Sequence, residues 1–260
     1  MVSDTTWQAL DTIHCVVYNR HNHEQDYEKI GLDKPWLNYC ASRAAALGPV
    51  SAELATALFY GFSPDQIRQQ LPRAWGIASP AQVLEARYAI AARALEPFAD
   101  QIDGLARSLV EVLTRLDLAG APMAAAQIAL ETPDTPSRQL WHAATALREY
   151  RGDRHWSVLA TAGIGGAAAN ALGVATGRQK PSQQARTGWS DAAWEEAFAG
   201  LATRGWVSED RTATPEGIAA RKQLEDVTSR ITLVGLDTES RARLLAAETQ
   251  LASIAESLTA

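Results

Sequence analysis

The sequence predicts a mainly α-helical chain, and three observations carry that expectation. Ala, Leu, Glu and Arg dominate the 260 residues while β-branched residues are sparse, a balance that favours helix. The opening segment places Trp7, Leu10, Ile13, His14 and Val17 on one helical stripe. Helix-starting devices recur along the chain: Ser63-Pro64-Asp65 and Ser79-Pro80 each set a capping hydroxyl before a first-turn proline. An apolar fraction of 47% and a charged fraction of 21% exclude wholesale disorder.

The elements follow in order. Residues 5–18 read as the first helix, broken by the run 19–26 (NRHNHEQD), after which a short helix leads to Gly31-Leu32. Pro35 is placed to open a helix over 36–47 that stops at Gly48-Pro49. Helices are expected over 51–60, 63–74, 80–98 and 101–116. Proline-containing stretches at 120–123 and 132–137 bracket a short helical segment and form the expected inter-domain linker. Beyond it, helices are expected over 138–151 and 155–162, divided at Gly152-Asp153, then a small-residue helix over 163–177 and a polar loop over 178–188.

Ser190 is placed to cap a helix over 191–204 that ends at Gly205. A short β-hairpin is expected at 206–212, and Thr214-Pro215-Glu216-Gly217 opens a helix to about Ile231. A helix, a glycine, two short strands and a second helix form a winged-helix pattern, of the MarR-like kind. A last helix is expected over 238–258, suited to packing on the core or to a homodimer contact. Phe62-Ser63-Pro64, Leu71, Trp75-Gly76 and Ser79-Pro80 run parallel to Trp189-Ser190-Asp191, Leu201, Gly205-Trp206 and Thr214-Pro215, which reads as two winged-helix-like modules, the first with its wing reduced to a turn. The expected fold is therefore mainly α with two winged-helix-like modules: residues 1–130 as a degenerate module and 138–260 as a winged-helix domain with a small hairpin wing and a terminal helix.

Charge and motif content narrow the function. The net charge of −6 and pI of about 5.4 make nucleic acid a disfavoured partner. The helix in the recognition position carries Asp191, Glu195 and Glu196 against Arg204, and the wing adds Glu209 and Asp210 against Arg211. In the first module the corresponding helix has only Arg68 and Arg73. The N-terminus lacks the basic and apolar pattern of a signal peptide, and no apolar stretch approaches membrane-spanning length, so a cytoplasmic protein is expected. Cys15 and Cys40 read as two buried thiols in a reducing compartment. No GxGxxG, P-loop, HExxH or GxSxG motif occurs, and no cofactor is expected.

Three places combine polar groups with apolar faces. His14 and Tyr18 share a helix face at i,i+4, as do Tyr39 and Arg43. The third is the run from Leu147 to His155, with Trp141 and His142 upstream; Arg151, Asp153 and His155 there bind a carboxylate or place a general base in one reading, and form an ion pair and a helix cap in the other. His21, His23 and Glu24 invite a metal reading, but histidines two apart on a loop without further ligands are more often a solvated turn, and no metal site is expected. Eight tryptophans are many for this length, fitting core packing or an aromatic-lined pocket for a flat organic ligand.

Several of these stretches resemble an actinobacterial family of SalK-like, helix-turn-helix-labelled proteins. The resemblance runs through His14-Cys15-Val16-Val17-Tyr18, then Tyr39 to Val50 (YCASRAAALGPV), Phe59 to Pro64 (FYGFSP), Leu140-Trp141-His142 and Arg148 to His155 (REYRGDRH), and Arg204-Gly205 to Gly217. It spans residues 5–258. It implies two winged-helix-like halves, an association with natural-product metabolism, and shared polar residues at His14, Tyr18, Arg43, Arg151, Asp153 and His155. Tyr150 stands where the family usually has histidine and Arg154 where it has glycine.

Together these readings predict a protein that binds a small organic molecule, with an enzyme of specialised metabolism as one form of it, in a pocket between the two halves. Arg43 and Arg151 would hold an anionic or carbonyl group, His14 or His155 would exchange protons with Tyr18 and Asp153 beside them, and Tyr39, Tyr150 and Trp141 would line the walls. The alternative is a ligand-responsive DNA-binding transcription regulator, which the potential over residues 190–211 separates from the first reading.

Overall fold

A computed structural model describes residues 2–18 and 20–259, with the side chains of residues 20–24 outside the described set. The chain is mainly helical, and no strand forms among the described residues. The helices are α1 (Asp4–Cys15), α2 (Arg20–Lys29), α3 (Pro35–Ala44), α4 (Ala52–Phe59), α5 (Pro64–Trp75), α6 (Pro80–Leu95), α7 (Ala99–Leu113), α8 (Pro122–Ile128), α9 (Pro136–Thr161), α10 (Gly166–Ala175), α11 (Gln183–Thr187), α12 (Asp191–Thr203), α13 (Pro215–Val234) and α14 (Thr238–Thr259). Short 3-10 turns extend α1 over Val16–Tyr18 and α3 over Ala45–Leu47.

Side-chain caps set many of the starts. Ser3, Ser51, Ser79 and Ser190 each accept a hydrogen bond from the backbone N–H three residues on, satisfying a donor that the first turn leaves open. At α6 the cap is reciprocal, because Gln82 accepts from the Ser79 backbone N–H. Pro35, Pro80 and Pro122 occupy first-turn positions, where a missing N–H costs nothing.

The chain forms two compact units, each assembled from separate segments. The first comprises Met1–Val50, Arg73–Asp153 and Ile231–Ala260; the second comprises Ser51–Pro72 and Arg154–Arg230. In the first, α1 packs on α14, α2 and α3 on α6, and α7 on α14. Leu10, Ile13, Leu37, Ile90, Leu109, Leu147 and Leu251 are fully buried in its core. The whole span 120–137, the expected linker, lies inside this unit.

In the second unit α10 packs on α12 and α11, over Leu172, Trp194, Phe198 and Leu201. Two close approaches there demand glycine. A Cβ on Gly166 would lie 2.1 Å from the Tyr60 carbonyl oxygen, and one on Gly217 would lie 2.0 Å from that of Trp206. Of the paired motifs, Phe62-Ser63-Pro64 and Leu71 fall in this unit with the whole of 189–217, whereas Trp75-Gly76 and Ser79-Pro80 fall in the first.

Four local expectations are corrected. Residues 20–26, expected as the break between the first two helices, are themselves helical as the start of α2. The expected pair of helices at 138–151 and 155–162 is one 26-residue helix, α9. Glycine costs a helix only about 1 kcal/mol, and Asp153 is engaged elsewhere instead of capping a new start. The loop expected at 178–188 contains α11. The expected hairpin wing reduces to one antiparallel bridge, Val207 with Ala213, around a turn in which Arg211 takes a positive φ of 65°. Backbone bonds from the Ser208 N–H to the Thr212 carbonyl and from the Thr214 N–H to the Trp206 carbonyl flank the bridge, and the side chains of Asp210 and Thr212 bind Ser208 at the turn, so the pairing stops short of two strands.

A buried polar cluster as candidate functional site

Within the first unit, α1, α3, α6 and α9 bring a set of charged and aromatic side chains into the core. Helical spacing explains how. On α9, His142, Thr145 and Glu149 follow at three and four residues, and on α6 Arg87 sits between Val83 and Ile90-Ala91 on the buried stripe. Glu149 is the central anion, 3% exposed. It accepts from Arg148 Nη1 at 3.2 Å and lies 3.7 Å from Arg43 Nη2. Burial pushes its carboxyl up, but Arg148, Arg43 and Arg87 outweigh that and hold it below the usual carboxylate range. Arg148 also donates to Asp11 at 2.9 Å.

His14 lies beside this anion, with Nε2 at 4.0 Å from Glu149 and Nδ1 at 3.1 Å from the Thr145 hydroxyl. Its pKa is well below that of free histidine, first through burial and then through the three arginines, so the ring is neutral at pH 7 and its approach to Glu149 is no ion pair. Tyr18 meets His14 edge to face at 5.4 Å and Tyr39 at 5.0 Å, and Trp36 meets Tyr39 edge to face at 6.2 Å. Burial raises the pKa of both tyrosines. Trp141 is fully buried, and its indole N–H donates to the His14 carbonyl at 3.2 Å.

Thus the structure gathers His14, Tyr18, Tyr39, Arg43 and Trp141 into one place. Tyr150 is fully buried on α9 and Arg151 is half-buried beside it. Asp153 accepts from the backbone N–H groups of Met123 and Ala124 at 3.0 and 3.1 Å, so it caps α8. Its pKa rises to about 7 through burial, which these bonds only partly offset. His155 belongs to the second unit, where Nδ1 lies 2.9 Å from the Thr228 hydroxyl. Because that hydroxyl donates to the Leu224 carbonyl, it accepts from the His155 ring. The side chains of His21 and His23 lie outside the described residues, and no group of three or more metal-ligating side chains occurs among the described ones.

Sequence reasoning missed Arg87, and it named Arg148 and Glu149 within the run Leu147–His155, and His142 upstream of it, without giving them a role; His142 belongs to a second polar group. His142 Nδ1 lies 2.7 Å from the Tyr88 hydroxyl and 3.1 Å from Gln127 Nε2, both able to donate to it. Burial lowers its pKa to about 4.

The second unit differs in charge. It holds ten Lys and Arg against ten Asp and Glu, so it is neutral and the excess of six negative charges lies in the first unit. On α12, Asp191, Glu195 and Glu196 are exposed, and Arg211 pairs with Glu195 at 2.6 Å. Arg204 donates to the carbonyls of Ala162 and Gly163. By contrast residues 176–190 contain no acid, and Arg178, Lys180 and Arg186 are all exposed. The acidic net charge of the chain therefore says little about the surface of this unit.

No single described helix is long and apolar enough to cross a membrane. No curated protein and no solved structure matches the chain. A family model described as a helix-turn-helix family matches residues 3–260. With nearly every residue covered by that match, the chain belongs to this helix-turn-helix family.

Proposed function

We propose that the protein is a ligand-responsive, DNA-binding regulator, with α10, α11 and α12 as the helix-turn-helix of a winged-helix-like module. The family match carries this reading. The charge distribution within the second unit supports it, since residues 176–190, between α10 and α12, offer Arg178, Lys180 and Arg186 to phosphates with no neighbouring acid in sequence. The exposed acids of α12 weigh against direct base reading along that helix, so phosphate contacts from α11 and the preceding turn are assigned the larger share of affinity. The ligand is assigned to the buried cluster of the first unit, and the resemblance to SalK-like proteins makes a specialised metabolite its class.

A second reading, a small-molecule-binding protein or enzyme that uses the same scaffold without DNA, is favoured by one observation: Asp191, Glu195 and Glu196 on the exposed face of α12. Fluorescence anisotropy with a mixed-sequence duplex at low salt separates the two. Salt-sensitive binding is expected; no binding at the lowest salt would leave the second reading standing.

A further inference from the structure

Arg87 is a buried cation whose hydrogen bonds all go to neutral oxygens. It is 2% exposed. Nη1 donates to the Ser42 carbonyl at 2.7 Å and Nη2 to the Tyr18 hydroxyl at 3.2 Å, while Nε is buried without a partner. Its guanidinium lies 4.8 Å from the centre of the Trp141 ring and 5.9 Å from that of Tyr18. Among the described residues it forms no ion pair. Glu149, whose carboxyl feels the Arg87 charge, is engaged by Arg43 and Arg148, and Asp11, half exposed, bonds Arg148. Arg87 is therefore the guanidinium of this group that lies in the core with no carboxylate of its own within ion-pair distance. A buried ion is costly unless an opposite charge pairs with it, and cation–π contact offsets only part of that cost.

A second observation points the same way. Trp36, Tyr39 and Tyr18 follow one another in ring contact, and all three are partly exposed. They form an aromatic track that begins at solvent and ends on the Arg87 guanidinium. Ring faces accept flat apolar bodies, and a guanidinium fork accepts carboxylates in two parallel hydrogen bonds.

We propose that Arg87, with the Tyr18 hydroxyl, anchors a flat organic carboxylate whose ring lies along Trp36, Tyr39 and Tyr18. The carboxylate takes the buried Nε–H and one terminal N–H, and supplies the opposite charge that Arg87 itself lacks. This deepens the ligand-binding part of the reading above and is independent of DNA binding, which a separate assay reports.

Benzoate is the probe, and benzyl alcohol, of the same shape without the charge, is the control. Thermal unfolding and tryptophan fluorescence of the full chain are followed against concentration of each, in wild type, Arg87→Met and Arg87→Lys. Benzoate is expected to raise the wild-type Tm and change the fluorescence, with benzyl alcohol at least tenfold weaker. Arg87→Met, which removes a buried charge, is expected to fold and to lose the benzoate response. Equal action of the two probes, no response to benzoate, or a full response in Arg87→Met would overturn the proposal. Should Arg87→Met not fold, Arg87→Lys decides: a response weakened about tenfold or more supports the site, and an undiminished one overturns it.

Discussion

Glu149 is the residue on which the buried cluster depends. Removing its charge leaves Arg43 and Arg148 facing one another in the core. Breaking a buried pair in this way costs about 3–5 kcal/mol, so Glu149→Gln is expected to lower stability by several kcal/mol in chemical denaturation. A loss below about 0.5 kcal/mol, the range of neutral surface changes, would contradict the charge balance described. His142 makes a pH-dependent contribution of defined sign. Its pKa is about 4 in the folded chain and about 6.5 when unfolded. The unfolded chain therefore binds a proton first as pH falls, and the stability linked to neutral His142 is lost between pH 6.5 and about 4, on the order of 3 kcal/mol in full. Asp153 acts oppositely, since its raised pKa favours the folded chain at low pH and that benefit fades toward pH 7. Comparing wild type with His142→Gln removes that opposing effect, which both share. The wild-type advantage is expected to shrink across that window; a constant gap would show that His142 does not titrate as stated. Much of the cluster was legible at this scale, because His14 with Tyr18 and Tyr39 with Arg43 share helix faces. Arg87 and Glu149 carried a usable signal too, each being a charge inside an apolar helical stripe, but a single stripe does not say which other helix supplies its partner.

Helix α9 shows where element-level reading stops. Gly152-Asp153 reads locally as a stop followed by a cap, yet Asp153 accepts from α8 and the helix continues to Thr161. That competition is tertiary, and the local sequence does not encode it. A continuous helix makes a testable demand on Gly152. Its φ is not positive, and an added Cβ would meet only Arg148 Nη1 and Glu149 Oε2, both at 3.7 Å. Gly152→Ala is therefore expected to stabilise the protein by about 0.4–1 kcal/mol, read as a raised Tm; a lowered Tm would mean a break at this position. Helix starts were the most legible elements, since Ser79-Pro80 and Ser190 cap where their sequence indicates. The wing was the least, because alternation over so few residues does not separate a ladder from a turn closed by Ser208, Asp210 and Thr212.

At the scale of the whole molecule, the acidic net charge misleads as an argument about nucleic acid. It resides in the first unit, and the second is neutral with opposed local patches: an acidic face on α12 and the basic residues Arg178, Lys180 and Arg186 before it. A linear chain gives the sum of charges but not which segments fold together, and here each unit draws on distant stretches. The most direct measurement is the salt dependence of duplex binding by wild type and by Arg178→Ala/Lys180→Ala/Arg186→Ala. Each phosphate contact adds about 0.9 to the slope of log K against log salt. The regulator reading predicts measurable wild-type binding at low salt, with a slope reduced by about 2–3 in the triple variant if all three residues meet phosphates. Absence of wild-type binding, or a triple variant with an unchanged slope, would contradict it.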